Sequence, residues 1–182
     1  PLYATMEKSL TISKLDAAKR QLETVIRMYF NSGDPVAMHT LAAAGFNVIR
    51  DLNKKRGGGP MLQDKMFEYV KPEHHKLLRE KMSEAQNFFK HADRDHEATL
   101  EFNPDSTEFL TLDACYKYAE LTGEFPPLFQ IYSGWMMITH KEIFTLPDEQ
   151  RRKLEAAAKT FTPTGKAAYF TDMLPMVMKS GV

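Results

Sequence analysis

Cysteine is nearly absent from this chain. Cys115 is the one thiol in 182 residues, which rules out an internal disulfide framework and suits a reducing compartment. Net charge is absent as well, because 24 basic and 24 acidic residues cancel. No global field therefore draws in nucleic acid or an anionic membrane surface, and any such binding has to be local. No apolar run approaches the roughly 20 residues that cross a bilayer, and the opening PLYATMEKSL lacks the basic and apolar regions of a signal peptide. The expectation is a soluble, cytoplasmic chain, neither inserted nor secreted. With Pro1 in front of a methionine at Met6, the first five residues read as a remnant or processed end, and residues 1–12 as disordered.

Repeats, low-complexity tracts and paired strand patterns are also missing. Residues 98–102 alternate briefly, but so short a run without a partner makes no sheet. A chain of this length removes roughly 70% of its unfolded surface from water on folding, so residues 13–182 are expected to form one domain.

The dominant pattern is helical. Leu15, Ala18, Leu22, Val25, Ile26 and Tyr29 recur at spacings of three and four, with Ser13 and Asp16 as a capping pair and a stop near Gly33. Asp34 and Pro35 start a second helix. It carries Leu41, Ala42, Gly45, Ile49 and Leu52 on a buried stripe, with His39, Ala43, Asn47 and Arg50 on another. Residues 54–60, KKRGGGP, then form a flexible basic loop.

A short helix is expected over 62–70 and a longer one over 73–92, with a core stripe of Leu78, Met82, Ala85, Phe89 and Ala92 and a polar stripe of Glu80, Glu84, Asn87 and His91. Phe109, Leu112, Tyr116 and Ala119 pattern a helix that ends at Gly123. Another begins at Pro126 and Pro127 and runs through Phe129, Trp135, Ile138 and Ile143. DEQRRKLEAAAKTF follows as a further helix, and residues 164–182 add a turn or two. The sum is an all-α bundle of six or seven helices.

Polar chemistry concentrates where the fourth helical pattern ends. Asn87, Lys90, His91, Asp93, Arg94 and Asp95 fall within nine residues, and such groups hydrogen-bond, titrate or bind ions. They also suit a helix C-terminus, where a cation gains about 0.3–1 kcal/mol. No full Glu-x-x-His ligand pair is present. The acids at 93–97 lack the glycine and distal glutamate of a calcium loop, and the glycine run lacks the strand and Lys-Ser or Lys-Thr of a phosphate cradle. Cys115 lies in a helical pattern as a small buried residue.

Thr40 to Leu52, TLAAAGFNVIRDL, and residues 87–104, NFFKHADRDHEATLEFNP, resemble stretches of uncharacterised bacterial proteins of about this length. Gln86-Asn87-Phe88-Phe89-Lys90-His91 is similar to the Arg-Asn-x-x-x-His motif of HEPN domains, helical bundles of toxin and defence systems, many of which cut RNA. Gln86 stands where that motif has arginine. The resemblance implies a metal-independent ribonuclease in which His91 acts on a ribose 2′-hydroxyl, Asn87 orients it and Lys90 offsets phosphate charge.

The leading expectation is a non-catalytic binding or interaction protein, without a cofactor or a bound metal, whose protein or small-molecule partner meets His39, Asn47, Arg50, Asn87 and His91, with Asp93, Arg94 and Asp95 beside them. The HEPN-like ribonuclease, with RNA as partner, is the alternative. A metal-binding bundle using His39 and His91, completed by Asp93 or Asp95, is the third reading. A homo-oligomer remains open.

Overall fold

Local chemistry sets most of the helix boundaries. The computed structural model describes residues 9–65, 67, 70–93 and 96–180, without the side chains of Leu78 and Ser180. The expectations for residues 1–8, for Arg94 and Asp95, for the Leu78 side chain and for part of the 62–70 helix lie outside the described residues.

Ser13 Oγ accepts from the Asp16 N–H at 3.0 Å and opens α1, Lys14–Phe30. The chain then turns through Gly33, where a Cβ would fall 2.7 Å from Met28 Cβ. The Asp34 carboxylate accepts from the Ala37 N–H at 2.8 Å, and Pro35 is the first residue of α2, Pro35–Lys55. Each such cap contributes about 1 kcal/mol. One turn, α3 (Leu62–Lys65), and a 3-10 turn at Pro72–His74 precede α4, His75–Phe88.

Helix α5, Ser106–Thr122, stops at Gly123, whose φ of 73° suits glycine. Prolines lead into α6, Pro127–Thr139. Then come α7, Asp148–Phe161, with Asp148 and Glu149 in its first turn, and α8, Gly165–Ser180. There is no strand among the described residues, and no helix of the described residues is long and apolar enough to cross a membrane. The chain is an all-α, single-domain bundle.

Helix α2 lies between α1 and α5, while α6 packs on α1, α5, α7 and α8. Ala18, Leu22, Ile26 and Phe30 of α1 are fully buried. Gly45 lets α2 approach α1 closely, since a Cβ there would sit 3.1 Å from Leu22 Cγ. Helix α4 rests on the remaining side of α2.

Several elements differ from their sequence pattern for packing reasons. Because α2 is covered on both sides, His39 and Ala43 on its second stripe are buried along with the first stripe's Ala42, Gly45 and Ile49. The fourth helix ends at Phe88 rather than 92, and the turn there places Phe89 on Phe102, with ring centroids 5.2 Å apart, while Ala92 is exposed. On α5, Phe109 points outward while Thr107, Thr111, Asp113 and Lys117 are buried. Ile143 is exposed in a separate turn, Lys141–Ile143. The tail forms sixteen residues of helix, because Tyr169 and Phe170 find the aromatic core.

Cys115 has no exposed surface, and burial pushes its thiol well above the usual range. A thiol-specific chromogenic reagent is expected to label it only as fast as the protein unfolds. Prompt stoichiometric labelling of the native protein would contradict this packing.

Candidate functional site

Two stripes of side chains face one another across a cleft of about 340 Å³ between α2 and α4. From α2 come His39, Ala43, Phe46, Asn47 and Arg50, a run that helical spacing puts on one face. From α4 come Arg79, Met82, Ser83 and Gln86 by the same periodicity. The turn α3 supplies Gln63 and Asp64, and Phe67 and Leu110 complete the wall.

The amides meet across the gap, where Asn47 Nδ2 donates to Gln86 Oε1 at 2.8 Å. Arg50 lies 5.9 Å over the Phe46 ring, and Arg79 lies 4.9 Å over the Phe67 ring. The Asp64 carboxylate accepts from the Met61 N–H at 3.3 Å.

His39 is a fixed wall rather than a free base. Its Nδ1 is 2.9 Å from the Thr107 hydroxyl, and the rings of Phe102 and Phe89 approach edge-on at 5.0 and 5.9 Å. Burial first, and the Lys90 charge second, hold its pKa below the ordinary 6.5. The folded state therefore takes up a proton less readily than the unfolded chain. The stability contributed by neutral His39 is complete above pH 6.5 and is lost as pH falls toward the folded value. Chemical denaturation at pH 7 and pH 5 is expected to show a smaller drop for His39→Gln than for the parent. An equal drop would remove His39 as the cause.

The other predicted residues lie elsewhere. Asn87, His91 and Asp93 line a second, open cleft of about 830 Å³ on the other flank of α4, together with Glu80, Glu84 and Lys81. Lys81 Nζ donates to both oxygens of Glu84, at 2.8 and 3.0 Å. Ser83 is common to both clefts. The structure thus brings His39, Asn47 and Arg50 together, and separately Asn87, His91 and Asp93. Lys90 is exposed, and its charge acts on His39. Arg94 and Asp95 are outside the described residues. Among the described residues no group of three or more His, Cys, Asp and Glu could hold a metal ion.

Sequence reasoning missed Arg79, Gln63, Asp64 and Gln86 as cleft residues, since they lie on α3 and α4 and only tertiary packing brings those elements to α2. It also missed a buried polar support. Asp113 Oδ1 and Oδ2 accept from the Leu62 and Gln63 N–H groups at 3.1 and 3.2 Å and so hold α3 in place. Gly59 O accepts from Asn53 Nδ2 at 2.6 Å and from Lys117 Nζ at 3.4 Å, which fastens the glycine-rich segment at that point. A further cluster joins α6 to α5 and α1, with His140 Nε2 3.2 Å from Glu108 Oε2 and Trp135 Nε1 donating to the Tyr29 hydroxyl at 3.1 Å. Burial foremost, followed by the Glu108 charge, raises the Tyr29 phenol.

No family model, curated protein or solved structure matches this chain.

Proposed function

We propose that this protein is a non-catalytic binding protein that takes a small molecule into the cleft between α2 and α4. The observation that carries this reading is the convergence of His39, Asn47 and Arg50 with Arg79 and Gln86 on one concave surface. Small-molecule sites are clefts of roughly 300–1,000 Å³, with apolar walls and a few polar groups that fix orientation. Phe46, Phe67, Met82 and Leu110 supply such walls here. Neutral His39, bound to Thr107, serves as structure rather than as a proton carrier. A cytoplasmic setting, in keeping with the lone buried Cys115, and a protein partner or second copy on the outer face of the site belong to the same proposal.

Equilibrium dialysis of the purified protein against a small-molecule extract tests it. At least one compound is expected to concentrate with the parent protein and not with a folded Asn47→Leu variant. Enrichment of nothing, or equal enrichment by both, would defeat the reading.

The HEPN-like alternative draws on Asn87 and His91, which share a wall of the larger cleft. The lining beside them carries three carboxylates, Glu80, Glu84 and Asp93, against one lysine, Lys81, which is already bound to Glu84, and this balance does not favour a polynucleotide backbone. Binding is therefore the favoured reading. Mixed RNA incubated in chelator with the parent and with the Asn87→Ala/His91→Ala variant is expected to stay intact in both. Cleavage by the parent alone would reverse the preference.

A further inference from the structure

We propose that the ligand of the α2–α4 cleft is a small organic anion, a carboxylate or phosphate monoester on an apolar body of about one ring, gripped by Arg50 and Arg79. This rests on the binding reading above and names the chemistry of its ligand.

The two guanidiniums come from opposite walls, and each lies over an aromatic ring of the cleft itself, Arg50 over Phe46 at 5.9 Å and Arg79 over Phe67 at 4.9 Å. Each guanidinium carries a planar fork of N–H donors. That fork matches the paired oxygens of a carboxylate or phosphate. The closer of the two ring contacts, that of Arg79 at 4.9 Å, also restricts its side chain, which lowers the ordering cost when an anion arrives.

The cleft's own charges leave these donors a vacancy of sign. Among the described lining residues Asp64 is the one carboxylate, set against two arginines, and it accepts from the Met61 N–H. Asp51 stands 3.7 Å from Arg50 Nε, beyond hydrogen-bond length, with 73% of its side chain exposed. The pair is therefore a weak competitor in water.

Ala43, Met82 and Leu110 give the rest of the cleft an apolar lining, and the Asn47 and Gln86 amides offer hydrogen bonds beside it. A volume of about 340 Å³ is at the small end for ligand sites. It suits a one-ring acid and not a polymer.

Two-dimensional NMR of the whole protein, titrated with benzoate, phenyl phosphate and benzamide, tests this. Benzoate or phenyl phosphate is expected to move the amide signals of the cleft residues on α2 and α4 and the Nε–H signals of both arginines, saturably. The tighter of the two identifies the head group. Benzamide, equal in shape to benzoate but uncharged, is expected to bind at least about tenfold more weakly.

The Arg50→Met/Arg79→Met variant is expected to lose at least about tenfold in anion affinity with its helical spectrum intact. Should that variant misfold, Arg50→Lys/Arg79→Lys keeps the charge and removes the fork, and a loss of affinity there supports the proposal. Benzamide matching the anions would leave the binding cleft standing and overturn its anion preference. Anion shifts that persist unchanged in the folded arginine variants overturn it too. If none of the three compounds moves a cleft signal, the anion assignment falls, and the dialysis comparison with Asn47→Leu alone decides the cleft.

Discussion

Replacing Phe30 with alanine is expected to cost about 3–5 kcal/mol of folding stability. Phe30 has no exposed surface and closes the last turn of α1. Its ring stacks on Phe170 of α8 at 4.8 Å and meets Tyr132 and Trp135 of α6 edge-on, each at 6.3 Å. Tyr169 lies 6.0 Å away. One side chain thus ties three helices that are distant in sequence, and none of its neighbours can collapse into the space without losing another contact. A domain of this kind has about 5–15 kcal/mol in total, so the variant is expected to unfold at a much lower urea concentration with an unchanged slope. A loss below about 1 kcal/mol would refute this account of the core.

Asp113→Ala is expected to cost about 2–4 kcal/mol and to loosen one wall of the cleft. Asp113 is 4% exposed, and burial raises its carboxyl above the ordinary range, while the Leu62 and Gln63 N–H groups and the Lys117 charge oppose that rise. Alanine leaves both N–H groups short of an acceptor and removes one negative neighbour from Lys117, itself 5% exposed, which keeps its ion pair with Glu120. Because α3 carries Gln63 and Asp64 into the cleft, its release is expected to weaken ligand capture as well. Hydrogen exchange at Leu62 and Gln63 should rise sharply relative to the α1 amides, and unchanged protection there would show that α3 is held by something else.

Much of the bundle is written in local chemistry. Ser13 with Asp16, Asp34 with Pro35, Gly123, and Pro126 with Pro127 mark ends that the structure uses. Each acts through a bond or dihedral within a few residues, so spacing alone reveals it. The apolar face of α1 was equally legible, because Ala18, Leu22, Val25 and Ile26 need only a helix to line up, although the buried ring at its end is Phe30 and Tyr29 is half-buried.

The candidate site was legible only in part. His39, Asn47 and Arg50 share a stripe that periodicity exposes at once, yet their partners Arg79, Gln86 and Asp64 belong to other elements. Asn87 and Gln86 are adjacent in sequence but face different clefts, since one residue turns the helix by about 100°. No periodicity announces that Asp113 and Lys117 are buried or that α8 runs to sixteen residues.

The sequence by itself settled the helical class and most of the punctuation, since caps, prolines and a 3.6-residue apolar rhythm act at short range. The tertiary structure decided which polar groups face one another. That choice depends on how α2 is sandwiched and where α4 leans, the outcome of packing summed over the whole interior.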